Sequence, residues 1–168
     1  MGLYHTEVWN TKVVAEDIVK ATNGDLYELV PKEIYTSADL NWRGSNSRVS
    51  REHDDASLRD VELEYNTVEN RDDYDTILIG TPTWWCTMAP VVLTFLTAND
   101  FTGKMVVPFM TNGGWPGHVI KDIKENCKGA TFAHEMQIQF DSMGKDHLET
   151  PEGVITRWIE QINADIKQ

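Results

Sequence analysis

Two apolar runs limit what this chain can fold into. TILIG (76–80) and KMVVPFMT (104–111) each read as a fully buried strand. Between them lies PVVLTFLTAND (90–100), which opens on a proline at a position suited to the first helical turn. Buried strands alternating with helices argue for a parallel sheet with helices on both faces.

The rest of the chain extends that alternation. TKVVAEDIVKAT (11–22) has Val14, Ile18 and Ala21 at helical spacing, and NGD (23–25) supplies a stop. DLYELV (25–30) alternates as a strand does. Residues 31–70 are polar and irregular, an excursion expected to hold one or two short helices. GHVIKDIKENC (117–127) predicts an amphipathic helix, and ATFAHEMQIQF (130–140) a further strand. Val154, Trp158, Ile162 and Ile166 stand at every fourth position and predict one face of a closing helix. The expectation is a single α/β domain over 1–168, a three-layer sandwich.

In such sheets ligands bind beyond the carboxyl ends of the strands. The loops there are 4–10, 81–89 and 111–117. The second contains TPTWWCTMAP, with Trp84 and Trp85 adjacent, and the third contains Gly113, Gly114 and Trp115. Adjacent indoles on a loop do not both enter one core, so Trp84, Trp85 and Trp115 are expected to gather on a ligand-facing rim. Asn41, Trp42, Asn46 and Arg48 are candidates to fold over it from the excursion.

Composition narrows the partners. The net charge of −12 disfavours nucleic acid and anionic membranes. No apolar run is long enough to cross a bilayer, and the first ten residues lack the regions of a signal peptide, so a cytoplasmic location is expected. The two cysteines, Cys86 and Cys127, read as free thiols. A phosphatase-type thiol at Cys86 needs an arginine six residues on, where Val92 stands. The five histidines show no metal-ligand spacing.

At WNTKVVAEDI, DYDTILIGTPTWWCTMAP, DFTGKMVVPFMTNGGWPGH and YTSADLNWRGSNSR the sequence resembles the flavodoxin-like proteins, in particular the short bacterial flavodoxins and FMN-dependent reductases. The likeness runs from Tyr4 to about Ala130. It implies a five-stranded parallel sheet, one bound FMN and an apolar strand before the first loop. Only MGLYH (1–5), about 15 Å if fully extended, precedes that loop, so this first strand is expected to be very short or missing. Carried onto this sequence, the phosphate loop falls on Thr6, Val8, Trp9, Asn10 and Thr11. The ring-contacting loops fall on Pro82, Thr83, Trp84, Trp85 and Cys86, and on Thr111, Asn112, Gly113, Gly114 and Trp115. The chemistry suits a flavin, whose flat faces stack on aromatic side chains and whose edges bond to backbone groups.

The resemblance implies electron transfer, either to a redox partner protein or to a small quinone-like acceptor. A homodimer covering the tryptophan rim is also compatible with it. The phosphate loop departs from the family pattern: Val8 replaces a hydroxyl residue, Trp9 a glycine, and Glu7 adds a negative charge. Those departures motivate a second reading, a flavodoxin-like fold without flavin that acts as a binding module or is a defective copy.

Overall fold

The computed structural model of the chain describes residues 6–142 and 147–166. The expected first strand lies outside the described residues. Helix α1 spans Thr6–Thr22, α2 Arg48–Asp54, α3 Pro90–Ala98, α4 Val119–Asn126 and α5 Glu152–Ile166. Strands are β1 (Thr76–Trp84), β2 (Thr87–Met88), β3 (Met105–Asn112), β4 (Thr131–Phe132) and β5 (Met136–Gln139). β1 and β3 pair in parallel from Thr76↔Met105 to Pro82↔Thr111. The other edge of β3 pairs in parallel with β4 and then β5.

β3 is the buried axis of the sheet. Its side chains alternate between two cores, as a period of two requires. Val106 and Met110 join α3 and α4 through Val92, Phe95, Leu96, Val119 and Ile123. Val107 and Phe109 join α1 and α5 through Val14, Ile18, Trp158, Ile159 and Ile162. The chain is therefore an α/β sandwich with helices on both sheet faces, as the alternation of elements predicts.

Four expectations need correction. The strand expected over 130–140 is broken at 133–135, where His134 turns to φ 51°. Pro108 explains the break. The carbonyls of Lys104, Val106 and Asn112 accept N–H groups from Thr131, Ala133 and Phe140, so even-numbered residues of β3 face that edge. Pro108 faces it too and has no N–H to offer.

The segment 25–30 forms no strand. Alternation names a face, not a partner. The segment it meets gives only an isolated bridge, Pro31↔Leu63, flanked by Lys32 N–H to Glu62 O and Glu64 N–H to Val30 O.

Helix α1 begins at Thr6 rather than Thr11, because no glycine or proline interrupts 6–11. It stops where expected, with Asn23 at φ 57°. In α5 the fourfold spacing overstates the buried face. Trp158 and Ile162 are buried, but Val154 and Ile166 are exposed. Each four-residue step advances about 40° around a helix, so the ends of such a series rotate out of the core.

The excursion carries α2 and a 3-10 turn over Ala56–Arg59, as expected. Among the described residues no helix is long and apolar enough to cross a membrane.

Candidate functional site

The adjacent tryptophans are resolved by a hairpin. β1 does not end at Gly80. It continues through Pro82, Thr83 and Trp84, turns on Trp85 and Cys86, and returns antiparallel as β2, with Thr83 opposite Met88 and Trp84 opposite Thr87. Trp85 and Cys86 have φ 48° and 64°. A two-residue turn with both central residues left-handed matches the twist of the flanking strands. It ordinarily calls for asparagine or glycine, and a residue with a Cβ costs about 1–2 kcal/mol there.

Several contacts hold the turn against that cost. The His118 N–H donates to Cys86 O at 2.9 Å. Gly117 packs so close that a Cβ on it would lie 2.0 Å from that same oxygen. The Thr87 hydroxyl donates to Asp122 Oδ2 at 2.7 Å, and the Ala89 N–H donates to Thr81 Oγ1 at 3.1 Å. The start of α4 thus clamps the hairpin.

The excursion clamps its other side. Tyr35 meets Trp84 edge to face at 5.0 Å, and His53 stacks on Trp85 at 4.6 Å and 14°. Tyr35 is fixed by its hydroxyl donating to Glu52, which also pairs with Arg48 Nε at 2.8 Å. Arg48 in turn lies 3.9 Å over the Tyr35 ring. Burial, reinforced by the Glu52 carboxylate, pushes the Tyr35 phenol well above its ordinary value.

At the end of β3, Thr111 and Asn112 are buried. The Thr111 and Thr11 hydroxyls share a hydrogen bond of 2.6 Å, which ties the start of α1 to the carboxyl end of the sheet. Asn112 donates to Ile138 O at 3.2 Å and accepts the Gly114 N–H at 2.8 Å. That bond closes a turn in which Gly114 takes φ 102°. Trp115 then stands 69% exposed.

The structure therefore brings the expected residues Asn10, Thr11, Pro82, Thr83, Trp84, Trp85, Cys86, Thr111, Asn112, Gly113, Gly114 and Trp115 to the carboxyl ends of β1 and β3 and the adjoining start of α1. The side chains of Thr6, Val8 and Trp9 lie outside the described part; their backbone is helical rather than an open loop. The first turn of α1 still presents amides that have no partner within the helix, a setting that suits an anion.

The excursion reaches the rim through residues the sequence did not single out. Tyr35 and His53 touch the tryptophans, whereas Arg48 turns inward and Trp42 stands exposed under Arg43 at 4.8 Å. The i,i+4 spacing of Arg48 with Glu52, and of His118 with Asp122, was the readable signal. The two thiols are free: Cys86 is exposed and Cys127 buried.

A parallel α/β sandwich with aromatic and glycine-rich loops at the carboxyl edge defines a class of small-ligand-binding proteins. The comparisons place the chain within it. A family model for flavodoxin matches residues 3–162, and the chain belongs to that family. A candidate flavoprotein from Bacteroides eggerthii is 32% identical, with TM-score 0.73 over 91% of this chain and 90% of its own. One from Bacteroides uniformis is 29% identical, with TM-score 0.76 and 92% of each chain covered. A flavoprotein from Lactobacillus acidophilus, solved in complex with FMN, shares the fold at 19% identity, with TM-score 0.58 over 76% of this chain and 83% of its own. No curated protein matches.

Proposed function

We propose that this chain is an FMN-binding redox protein, an electron carrier or a reductase of quinone-type acceptors. The observation that carries the reading is the left-handed turn at Trp85–Cys86, pinned by the start of α4 at the carboxyl edge of the sheet. Strain of this kind is kept where surrounding contacts over-determine it, and it concentrates at binding sites.

The donor set suits the cofactor. A phosphate suits the amides of the α1 first turn that have no partner within the helix, beside Asn10 and Thr11. The isoalloxazine suits the segment from Pro82 to Cys86 and the turn from Thr111 to Trp115, which offer indoles for its faces and main-chain groups for its edge. When bound, FMN supplies the electron transfer. The residues of this chain bind it, orient it and limit its contact with water.

A second reading, a flavin-free binding module, draws support from the helical backbone of 6–11, where the resemblance implies an open phosphate loop. An FMN titration of the purified protein, followed by flavin and tryptophan fluorescence, separates the two. Saturable quenching that is lost on changing Trp84 and Trp85 to alanine is the expected result. No binding at high micromolar FMN would sink the redox reading and leave the module.

A further inference from the structure

A cavity of about 220 Å³ lies behind the hairpin, on the side of α3 and α4. Trp84 and Trp85 form one wall, α2 and Arg59 a second, and β2, α3 and α4 the rest. Its volume is below the roughly 300–1,000 Å³ of pockets for drug-sized ligands, so it suits a single substituted ring.

The apolar lining comes from Val49, Met88, Pro90 and Leu93. The polar groups on it are mostly engaged. Glu52 is held by Arg48 and Tyr35, and Arg59 donates to the carbonyls of Glu52 and His53 at 2.6 and 2.5 Å.

The His53 ring is stacked on Trp85, and His118 is fixed through one of its two ring nitrogens. Its Nδ1 lies 2.6 Å from Asp122 Oδ2, and the same oxygen accepts from Thr87. An ionised carboxylate can only accept, so Nδ1 carries a proton, which leaves Nε2 as the acceptor in the neutral form of an imidazole. Among the described residues Nε2 has no protein partner. The carboxylates Glu52 and Asp122 on the lining disfavour an anionic ligand, and Arg59 disfavours a cationic one.

We propose that this cavity binds a small, neutral, single-ring phenol, with the ring against the indoles and the phenolic O–H donating to His118 Nε2. The site shares Trp84 and Trp85 with the proposed FMN contacts but needs no flavin, so its test uses the protein without FMN. Failure here leaves the redox reading untouched, and failure of FMN binding leaves this one untouched.

The probes are 4-hydroxyacetophenone and its methyl ether, 4-methoxyacetophenone, titrated by calorimetry. The phenol is expected to bind at least tenfold more tightly than the ether. His118→Ala is expected to abolish that difference, because the main-chain N–H that clamps Cys86 O survives the substitution. His118→Phe keeps a ring in place without nitrogens and gives the same readout if the alanine variant is unstable. Equal affinity for phenol and ether overturns the role of His118. Absence of binding by both probes overturns the site.

Discussion

Cys86 holds a backbone conformation that its side chain does not favour. Its φ of 64° lies in the left-handed region, where glycine sits without strain. Cys86→Gly removes that strain and costs some entropy in the unfolded chain. The net gain is expected to be about 0.5–1 kcal/mol, read from the urea midpoint.

Cys127 makes the opposite case. Burial pushes its thiol from 9.0 up to about 12. The unfolded chain therefore releases this proton first as pH rises. The stabilisation is fully present below pH 9 and is lost as pH climbs towards 12. The Tyr35 phenol, also raised, acts in the same direction. Urea unfolding at pH 8, 9.5 and 10.5 under reducing conditions should show a falling stability. The fall should be shallower in Cys127→Ala; an unchanged slope would contradict the assignment. Neither effect was legible in the sequence. It named both cysteines as free thiols but not the left-handed turn around one or the burial of the other.

At the scale of elements, α2 is the strut that places aromatic groups on the hairpin. Its Arg48–Glu52 pair is buried, at 13% and 5% side-chain exposure, and the same carboxylate holds Tyr35. Removing one partner from such a pair leaves an uncompensated buried charge. Glu52→Ala should therefore cost about 3–5 kcal/mol. It should also shift tryptophan emission to the red as Tyr35 and His53 leave the indoles; destabilisation with unchanged emission would mean α2 does not support the hairpin.

The i,i+4 spacing in RVSRE was visible, but which way the pair pointed was not. Proline 108 gives the same lesson in a strand. KMVVPFMT reads correctly as buried, yet the gap the proline opens in the neighbouring strand depends on which edge its missing N–H faces. That parity belongs to the sheet, not to the run itself. The hairpin was hidden for a related reason: TPTWWCTM carries no Asn-Gly or Asp-Gly turn signal, so it read as a loop.

For the whole molecule, the excess of acid is the dominant electrostatic fact. A net charge of −12 repels itself in the compact state. Most described ion pairs are solvent-exposed, and exposed pairs contribute little. Raising NaCl from about 10 to about 150 mM shortens the screening length to about 8 Å. Melting should therefore move upward; a gain of about 1 kcal/mol would read as about 2–4 °C. A downward shift would mean that attractive pairs outweigh the repulsion.

The layered α/β order and the carboxyl-edge location of the candidate site were legible from alternation alone. The unpaired course of 25–30 was not, because a strand-like pattern forms a strand only where another strand offers it a ladder.

The contact between Gly117 and Cys86 also orders the mutational paths open to this protein. The atom that a side chain at 117 would strike is a carbonyl oxygen, which every residue type at position 86 retains. No substitution at 86 can make room for one at 117 by its side chain alone. The two positions are epistatic through the main chain. A viable route away from glycine at 117 must begin with a change that moves the turn, such as an altered hairpin length, and only then admit a larger residue.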